Sequence, residues 1–496
     1  MSLPDVNTPA PQLRDNNVVR EIMPGKSRGD SPEEACGVFG VYAPGEEVGR
    51  VTYFGLYALQ HRGQESAGIA VTSGNGILVV KDMGLVSQVF DEKSFVSLRG
   101  EYAIGHVRYS TTGSTFWENA QPMYELTRRG PIAIAHNGNL VNTVQLRESL
   151  AQEGATFTST TDTEVIGALI NSSAADTTAD AIEDVFPRMK GAYSLAILTE
   201  EGLLGVRDPN GIRPLCIGTR DGGTFLASES AALDVVGAKL LREVEPGEIV
   251  HINENGISSQ RFVSSAKPAL CIFEFIYFAR PDSLLYNRLL YDARKEMGIH
   301  LAEEAPVDAD IVIPVPDSGV PAAIGFAEKS GIPFGEGLIK NRYIGRTFIQ
   351  PSPSIRQLGV RLKLNPLTPV IAGKRLVVVD DSIVRGTTSR KIVEILKEAG
   401  AREVHMRVSS PQIKYPCFYG IDTADRNELI ASRLDVAEVR DFLGADSLHH
   451  LSMDNLVKSC CASKDRFCTA CFEGQYPIEV PEDLKLSKYR LEKSPA

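Results

Sequence analysis

The sequence lacks the features that would place the protein in or across a membrane. Its 496 residues contain no apolar run that approaches the roughly 18 residues needed to span a bilayer. Residues 1–35 have no apolar core, which argues against a secretory signal, and their acidic side chains argue against an organelle transit peptide. These absences predict a cytoplasmic protein.

The chain also has fewer basic than acidic residues. It has 52 Lys and Arg against 63 Asp and Glu, a net charge of −11, which argues against a broad electrostatic interaction with nucleic acid or an anionic membrane. Any anionic substrate must therefore be held by a local group of basic side chains. The 8 cysteines are too few for a disulfide scaffold in a chain of this length. They indicate catalysis, metal binding or core packing instead.

Changes in amino-acid composition and apolar pattern divide the chain into four segments. Residues 1–35 form a polar leader that prolines interrupt, and residues 36–265 show many short strands with a few helices, an α+β pattern. Residues 266–475 change to the strand–helix–strand rhythm of a doubly wound α/β domain. The tail, 476–496, is rich in Lys, Glu and Pro and is predicted to be peripheral. The polar join near 255–270 is the predicted domain boundary.

Apolar periodicity predicts the main elements on either side of this join. The predicted strands are 36–42, 102–107, 132–136, 195–198, 248–252, 311–314, 376–379 and 404–408. The predicted helices are 53–62, 162–171 and 389–399.

The segment V-V-V-D-D-S-I-V-R-G-T-T-S (377–389) indicates a phosphate site. An apolar strand ends in Asp380 and Asp381, a loop with Gly386 follows, and hydroxyl residues at 387–389 open a helix. The N–H groups of such a helix start bind phosphate, while two carboxylates suit ribose hydroxyls or hydrated Mg²⁺. An ordinary strand–turn–helix with an Asp–Asp turn is the alternative that residue chemistry leaves open.

Two further segments indicate a function only if they lie beside that phosphate site. V-I-P-V-P-D-S-G (312–319) follows another predicted strand, although Pro-Asp-Ser-Gly is also a common turn. The segment 340–356 places four basic residues around Gly345. By itself it is typical of a solvated basic loop, and beside a phosphate site it suits a lid over pyrophosphate.

The segment 377–389 closely resembles the phosphoribosylpyrophosphate (PRPP) signature of type I phosphoribosyltransferases. The resemblance implies that the hydroxyl residues hold the 5-phosphate and that the acid pair faces the ribose. The implied PRPP ligands are Asp380, Asp381, Arg385, Gly386, Thr387, Thr388, Ser389, Lys340 and Arg346. The implied Mg²⁺ ligands are Ser318, Asp380 and Asp381.

A second group of motifs begins at Cys36. It continues with Q-H-R-G-Q-E-S-A-G (60–68), H-V-R-Y-S-T (106–111), H-N-G-N (136–139) and S-T-T-D-T-E (159–164). A cysteine nucleophile that attacks the side-chain amide of a free amino acid needs a base, oxyanion donors and anchors for both charged ends of its substrate.

The residues of these motifs can supply those roles. Arg108 can pair with a substrate α-carboxylate, Asp162 with the α-ammonium, and Asn137 with the N–H of Gly138 can form an oxyanion hole. If Cys36 is the first residue of the active chain, its own α-amine, with a pKa near 8, can take the proton. Taken singly, the cysteine suits a core position, H-N-G a tight turn and the arginine an ion pair.

In this order the motifs resemble the glutaminase domain of N-terminal-nucleophile amidotransferases, an αββα fold of two stacked sheets between helices. Such a domain followed by a PRPP-binding domain resembles the glutamine-dependent PRPP amidotransferases, over residues 36 to about 475. The resemblance implies a glycosyltransferase that converts PRPP and glutamine to 5-phosphoribosylamine, pyrophosphate and glutamate, the first step of de novo purine (IMP) synthesis. A PRPP-sensing regulator without turnover is the alternative, but it would have no use for a glutaminase.

The other cysteines suggest a metal centre. C-T-A-C, with Cys468 and Cys471, has a spacing that suits two ligands of one centre, and four thiolates can equally bind zinc. Cys216 is predicted to be core, and Cys460 to lie in a mobile polar stretch. Resemblance to the iron–sulfur branch of the family implies one [4Fe–4S] cluster per subunit and a leader cleaved before the nucleophile. The implied cluster ligands are Cys271, Cys417, Cys468 and Cys471.

The resemblance also has implications for partners. It implies a homotetramer or homodimer and feedback inhibition by purine nucleotides, and it provides for no nucleic-acid or membrane partner.

Overall fold

The computed structural model describes residues 36–72, 76–109, 116–262, 267–341, 363–421 and 426–481. The predicted leader, Arg346 with most of the predicted lid, and the chain from 482 onward lie outside the described residues. Within the described ranges, every helix is too short or too polar to cross a bilayer.

The first half of the chain is built from antiparallel strands and peripheral helices. The strands are β1 (Gly37–Tyr42), β2 (Ser66–Thr72), β3 (Ile77–Met83), β4 (Tyr102–Arg108), β5 (Met123–Thr127), β6 (Gly130–Leu140), β7 (Gly191–Leu198), β8 (Leu203–Arg207), β9 (Cys216–Arg220), β10 (Gly223–Ala227), β11 (Lys239–Glu243), β12 (Glu248–Asn253) and β13 (Gly256–Arg261). The helices are α1 (Val48–Ala58), α2 (Val86–Val89), α3 (Glu92–Ser97), α4 (Thr143–Gln152), α5 (Asp162–Ser172), α6 (Thr178–Val185) and α7 (Ser230–Val235).

These strands form two sheets that stack face to face. One sheet has the order β11-β9-β10-β1-β4-β2-β3 and the other the order β13-β12-β8-β7-β6-β5. Alternate side chains of both sheets, such as Val38, Ile104 and Ala133, fill the space between them, as alternation along a strand requires. Helices α1 and α7 cover the outer face of the first sheet and α4, α5 and α6 that of the second. The predicted αββα sandwich is confirmed.

The second half of the chain has the predicted strand–helix rhythm. Its strands are β14 (Leu270–Cys271), β15 (Leu284–Leu285), β16 (Arg288–Leu289), β17 (Ile311–Pro314), β18 (Leu338–Lys340), β19 (Leu364–Pro366), β20 (Arg375–Asp380), β21 (Glu403–Val408), β22 (Ser447–His450) and β23 (Phe467–Cys468). Its helices are α8 (Leu290–Glu304), α9 (Val320–Ser330), α10 (Thr368–Ile371), α11 (Thr387–Glu398), α12 (Val436–Leu443), α13 (Met453–Ser459) and α14 (Ala470–Glu473), with a π-helical turn at Glu274–Phe278.

A parallel sheet with the order β17-β20-β21-β22 forms the centre of this half. Val377 and Val379 face the core shared with α8 and α9, while Leu376 and Val378 face the core shared with α11 and α12. Helices therefore cover both faces, and the predicted doubly wound domain is confirmed. Because parallel strands run the same way, their carboxyl ends meet at one edge, where ligands of such folds bind.

Several predicted details were wrong. Helix α1 begins at Val48, five residues before the predicted start, and the 3₁₀ turn Gln60–Arg62 completes the predicted segment. The polar join contains β13, an exposed edge strand paired with β12. An exposed strand needs few apolar residues, so the composition of this segment did not reveal it. The tail is not peripheral throughout, since the Tyr419 hydroxyl donates to the carbonyl oxygen of Ile478 at 2.5 Å.

Helices α8 and α9 approach so closely that only glycine fits at their crossing. A Cβ at Gly298 would lie 1.8 Å from the carbonyl oxygen of Ala322, and one at Gly325 would lie 1.9 Å from that of Lys295. Both distances are far below van der Waals contact. This crossing fixes the two helices that support one face of the parallel sheet.

We predict that Gly298→Ala and Gly325→Ala each lower the midpoint of thermal unfolding. Alanine favours a helix over glycine by about 1 kcal/mol, but forcing the two backbones apart costs more, typically about 1–3 kcal/mol for overpacking and here at the upper end. Gly167→Ala in α5 is the control, because its Cβ would meet Glu125 and Ile134 at an ordinary 3.5 Å. Equal midpoints for all three variants would contradict the assignment of the crossing.

Candidate active sites

Cys36 lies at the start of β1, in the stack of the two sheets. Its thiol is buried and contacts the backbone of Tyr109, with 3.4 Å between Sγ and the amide nitrogen. Burial raises the pKa of the Cys36 thiol to about 12, and the nearby Arg108 guanidinium offsets this only in part. The thiol therefore stays protonated at neutral pH and needs a base before it can act as a nucleophile.

Charged side chains converge on this thiol. Arg108 ends β4, the strand paired with β1, and its guanidinium lies 3.8 Å from a carboxylate oxygen of Glu65. Arg108, Glu65 and Asp162 all act electrostatically on Cys36. The structure thus brings together the predicted nucleophile and the two predicted anchors of an amino acid substrate.

The predicted oxyanion residues lie on β6, which packs across β1 and β4. Asn137 is fully buried, yet both polar atoms of its amide have no hydrogen-bond partner among the described residues. A buried unpaired amide costs free energy, so it favours a ligand at this position. Gly138 has φ +150°, and a Cβ there would lie 2.0 Å from the carbonyl oxygen of Ala192. Only glycine fits beside the amide.

Asp162 is held in its ionised form by its surroundings. It is the first residue of α5, and its carboxylate accepts a 3.0 Å hydrogen bond from the Leu140 N–H. Burial alone would raise the pKa of Asp162, but the His136 ring, 3.4 Å away, and that N–H lower it below its usual value. A buried carboxylate of this kind suits the ammonium group of a substrate.

Behind the thiol lies a layer of buried charge that the sequence did not reveal. Arg62 donates from Nε to the carbonyl oxygen of Cys36 at 3.1 Å and from Nη1 to Glu229 at 2.6 Å. The same guanidinium donates to both carboxylate oxygens of Glu274 at 2.8 and 2.9 Å. Glu274 belongs to the second half of the chain, so this ion pair joins the two domains.

The oxyanion strand also contacts the second domain. Asn139 donates to the carbonyl oxygen of Phe418 at 2.9 Å, and Arg213 donates to that of Tyr419 at 2.9 and 3.1 Å. A Cβ at Gly420 would lie 3.2 Å from the carbonyl carbon of Gly138. The segment that follows Cys417 therefore packs directly against the predicted oxyanion hole.

The predicted acid pair lies at the carboxyl end of β20, at the edge where ligands of this fold bind. Asp380 and Asp381 are buried, and Asp381 accepts a hydrogen bond from Ser382 at 2.6 Å. The Ser318 hydroxyl also bonds Asp381, so the second predicted segment meets the first. Burial raises the pKa of Asp381, although those hydrogen bonds and the Arg294 guanidinium oppose the shift.

Helix α11 begins directly after this edge. Its N-cap, Gly386, has φ +77°, and a Cβ there would lie 2.8 Å from the side chain of Ile430. Because Gly386 has no side chain, it cannot cap the N–H groups of the first turn of the helix. Thr387, Thr388 and Ser389 form that first turn, the arrangement that binds phosphate in other proteins.

The remaining predicted PRPP ligands lie around the same edge. Arg385 pairs with Glu428 at 2.6 Å, and Lys340 donates to Asp317 at 2.8 Å. Both basic groups therefore have acidic partners, and Arg346 lies outside the described residues.

Four of the cysteines meet at a single cavity near the domain interface. Its cysteine lining is Cys271, Cys417, Cys468 and Cys471. Short strands β14 and β23 place Cys271 opposite Cys468 in parallel register. Cys216 is buried in the core as predicted, whereas the prediction for Cys460 was wrong, because it is fully buried at the end of α13. All eight thiols are free.

Acidic, cysteine and histidine side chains are the residues that hold single metal ions in proteins. In the described ranges, no three of them are arranged as ligands of one ion. Four cysteine side chains line the one cavity, and cysteine thiolates are the ligands of iron–sulfur clusters.

Some functional candidates escaped sequence reasoning. Arg62 lies inside the motif 60–68, and His136 lies inside the motif 136–139. The motif residues around them could therefore have indicated that both belong to the site. Glu274 and Arg294 belong to no motif. Only the folded chain brings them to the interface.

Family models match both domains. A glutamine amidotransferase domain model matches residues 106–235, and a phosphoribosyl transferase domain model matches residues 282–412. The first match begins after Cys36, and it includes Arg108, Asn137 and Asp162.

Curated relatives are similar over almost the whole chain. The amidophosphoribosyltransferase of Synechococcus elongatus is 56% identical over 94% of this chain and 96% of its own length. The proteins of the same name from Mycobacterium tuberculosis and Bacillus subtilis are 53% and 50% identical. They cover 93% and 91% of this chain, and the matches span 90% and 96% of their lengths.

Solved structures share the same architecture. One, described as the allosteric regulatory enzyme of purine biosynthesis, has a TM-score of 0.87 at 50% identity and covers 90% of this chain and 97% of its own. Another, a glutamine PRPP amidotransferase from B. subtilis complexed with ADP and GMP, has a TM-score of 0.86 at 49% identity, with coverages of 90% and 98%. Similarity of this extent over both domains shows that the chain belongs to the amidophosphoribosyltransferase family.

Proposed function

We propose that the protein makes 5-phosphoribosylamine from PRPP and glutamine, with release of pyrophosphate and glutamate, at the first step of de novo purine synthesis. The observation that carries the proposal is the presence of two sites in one chain. A buried thiol, Cys36, lies among Arg108 and Asp162, and a buried acid pair, Asp380 and Asp381, precedes a phosphate-type helix start. The names of the relatives support the same reaction.

In the glutaminase half, Cys36 attacks the side-chain amide of glutamine. Arg108 holds the α-carboxylate and Asp162 the α-ammonium, since opposite charges in a buried site orient a free amino acid strongly. The Asn137 amide and the Gly138 N–H stabilise the oxyanion. Ammonia leaves, and water hydrolyses the thioester to glutamate.

The base for this step is the α-amine of Cys36, which exists only after the bond from Ala35 is cut. We propose that Sγ attacks the Ala35 carbonyl carbon and that the C–N bond to Cys36 breaks, which forms a thioester and frees the α-amine. Water then hydrolyses the thioester to an Ala35 carboxylate and the Cys36 thiol. The active chain then begins at Cys36. The high pKa that burial gives the thiol supports the need for such a base.

In the transferase half, ammonia attacks C1 of PRPP and displaces pyrophosphate. The first turn of α11, at Thr387, Thr388 and Ser389, holds the 5-phosphate, together with Arg385 and Gly386. Asp380 and Asp381 face the ribose, and Lys340 and Arg346 bind the pyrophosphate side.

Mg²⁺ would neutralise the leaving pyrophosphate when bound. Ser318, Asp380 and Asp381 would hold it, because their oxygen atoms are the ligands that Mg²⁺ prefers. The two acids are adjacent and buried, and the Ser318 hydroxyl bonds Asp381; two neighbouring carboxylates repel each other when ionised, so this site favours a cation.

Ammonia must pass from the first site to the second without contact with water. Ammonia is protonated in water at pH 7, and ammonium is no nucleophile, so an apolar passage that disfavours the charged form would keep it reactive. Apolar residues of the interface, among them Phe275 and Ile276 beside Glu274, supply such surroundings. Closure of the 340–356 segment over PRPP would couple the two steps.

We propose that Cys271, Cys417, Cys468 and Cys471 hold one [4Fe–4S] cluster per subunit. When bound, the cluster would join the C-terminal segment to the middle of the chain through metal–thiolate bonds. The cavity shared by four cysteines supports this proposal, because four thiolates are the usual ligand set of such a cluster.

Three finer properties complete the proposal. A relative from B. subtilis is complexed with ADP and GMP, and we propose that purine nucleotides bind this protein too and act as feedback inhibitors. The protein is a homotetramer or homodimer, and it acts in the cytoplasm.

Cys36→Ala is expected to abolish glutamine use while synthesis from added ammonium salts continues, because only the first site needs the thiol. Glutamine-dependent pyrophosphate release falls at least about 1,000-fold, the scale of losing a nucleophile. The intact mass of the variant also keeps residues 1–35, whereas N-terminal sequencing of the unsubstituted enzyme begins at Cys36.

Cys216→Ala is the matched control for this experiment, since it removes another buried free thiol from the same sheet. It is expected to leave both activities and leader removal unchanged. Equal loss of both nitrogen sources in folded Cys36→Ala would contradict the separation of sites. Absence of glutamine-dependent release from the unsubstituted enzyme would favour a PRPP sensor.

Asp381→Asn is expected to lower ammonia-dependent synthesis about 10- to 100-fold, the range of a lost hydrogen bond to a charged group, while basal glutaminase activity survives. The carboxylate is assigned to PRPP, not to glutamine. Asp310→Asn is the control, because Asp310 binds Arg375 at the opposite end of the sheet. Unchanged PRPP affinity and turnover in Asp381→Asn would overturn the assignment.

Cys468→Ser is expected to lower both the iron and sulfide content and the thermal midpoint, because binding energy at such a site is folding energy. Anaerobic purification followed by metal and sulfide analysis tests this directly. Cys460→Ser serves for comparison, since Cys460 is also buried but does not line the cavity. If Cys468→Ser kept normal iron, the cluster assignment would be wrong.

A further inference from the structure

The cavity that the four cysteines line also has one charged wall. Among the described residues that line it, Arg213 carries the one charged side chain, and the others besides the cysteines are isoleucine, alanine and tyrosine. Arg213 is fully buried. Burying a guanidinium is costly unless negative charge lies opposite it. The position of this arginine therefore indicates a role at the cavity beyond filling space.

The acidic partner that Arg213 has among the described residues is shared. Its Nη1 lies 3.4 Å from a carboxylate oxygen of Glu274. Arg62 approaches both carboxylate oxygens of the same glutamate more closely, at 2.8 and 2.9 Å. Glu274 thus has a bidentate partner without Arg213, and the positive charge of Arg213 is only partly balanced by it.

The same guanidinium holds a segment that carries one of the cysteines. Nε and Nη2 of Arg213 donate to the carbonyl oxygen of Tyr419 at 3.1 and 2.9 Å. The N–H of Tyr419 in turn donates to Sγ of Cys417 at 3.4 Å. Two hydrogen bonds from one planar group to one carbonyl fix its orientation, so Arg213 fixes the residue that contacts the Cys417 sulfur.

The residue before Arg213 holds a second cysteine. The N–H of Cys271 donates to the carbonyl oxygen of Ile212 at 3.0 Å, and Cys271 lies opposite Cys468 in the parallel pair of β14 and β23. Residues 212–213 lie between β8 and β9 of the first domain. All four cysteines of the cavity belong to the second domain, so the first domain completes the surroundings of the thiols.

The charge of Arg213 acts on these thiols. Burial raises the pKa of the Cys271 thiol to about 12, and among the groups that oppose this rise Arg213 has the largest effect. Burial also raises the pKa of Cys468, and Arg213 again acts in the opposite direction. The guanidinium therefore favours the thiolate forms, which are the forms that bind metal.

A cluster bound in this cavity would be an anion. Four thiolates bring four negative charges, and an iron–sulfur core offsets only part of them because its sulfides are themselves negative. A buried anion needs an opposite charge nearby. Partners outside the first ligand shell also orient the ligands and tune the metal.

We propose that Arg213 is a positioning residue of the cluster site, where its guanidinium supplies the counter-charge for the bound anion and fixes the segment that carries Cys417. The inference rests on the proposed [4Fe–4S] cluster. Arg213 binds no metal itself. Its role is to let four thiolates and their metal group stay buried at the boundary between the two domains.

The test measures how fast an iron chelator removes iron from the anaerobically purified, full enzyme at a temperature well below its unfolding midpoint. Released iron and the visible absorbance of the cluster report the same event. Arg213→Gln removes the charge but keeps a donor near the Tyr419 carbonyl. We expect iron release at least about tenfold faster than in the unsubstituted enzyme, the lower end of the effect of outer-shell partners.

Two further variants separate charge from packing. Arg213→Lys keeps the charge and loses the fork, so its release rate should lie between those of the unsubstituted enzyme and Arg213→Gln. The double variant Arg213→Gln, Glu274→Gln removes one charge of each sign. It should release iron more slowly than Arg213→Gln alone, whereas a merely structural defect would make the double variant at least as fast.

Arg407→Gln is the matched control. Arg407 is also a buried arginine that donates to backbone carbonyl groups, those of Ala305 and Met406, and it does not line the cavity. Its substitution should leave the rate of iron release unchanged.

Two outcomes would overturn the inference while the cluster assignment stands. The first is an unchanged release rate in iron-loaded Arg213→Gln, and the second is a double variant that releases iron at least as fast as Arg213→Gln. Absence of iron and sulfide from the unsubstituted enzyme would instead overturn the cluster assignment, and this inference with it. If Arg213→Gln fails to fold, Arg213→Lys decides, because a release rate equal to that of the unsubstituted enzyme would contradict the proposed role.

Discussion

Arg62 and Glu274 meet in a bidentate ion pair from which water is excluded, and the relative position of the two domains depends on it. Without the pair, Arg62 would keep only Glu229 and Glu274 only Arg213 as buried ion-pair partners among the described residues, and breaking a buried ion pair costs about 3–5 kcal/mol. The glutaminase sandwich therefore cannot slide on the transferase domain without breaking the pair. Because Arg62 also donates to the Cys36 carbonyl oxygen, the same constraint restrains the predicted nucleophile.

The rest of the interface is arranged around that pair. The segment after Cys417 supplies backbone carbonyl groups to Asn139 and Arg213, and Gly420 packs on Gly138. The cysteine cavity, the oxyanion strand and the π-helical turn are thus neighbours. A protein that must pass ammonia between sites gains from this arrangement, because the two chemical centres share one rigid boundary.

Sequence reasoning succeeded where a local pattern maps onto a local structure. The strand that ends at Asp380 and the helix that opens at Thr387 were predicted within two residues, since an apolar strand followed by glycine and hydroxyl residues has few other solutions. It failed where long-range packing decides. The exposed strand β13 and buried Cys460 both lie in polar surroundings of the sequence.

The sequence by itself determined the order of the two domains, the residues of both predicted sites and the four cysteines that share a cavity, because each is carried by a short motif or a distinctive residue type. The tertiary structure alone decided what connects them. Arg62, Glu274 and Arg294 lie 212 and 20 residues apart along the chain, and no local period or spacing relates them. Only the folding of the domains against each other, which buries these charged groups together, brings the three residues into contact.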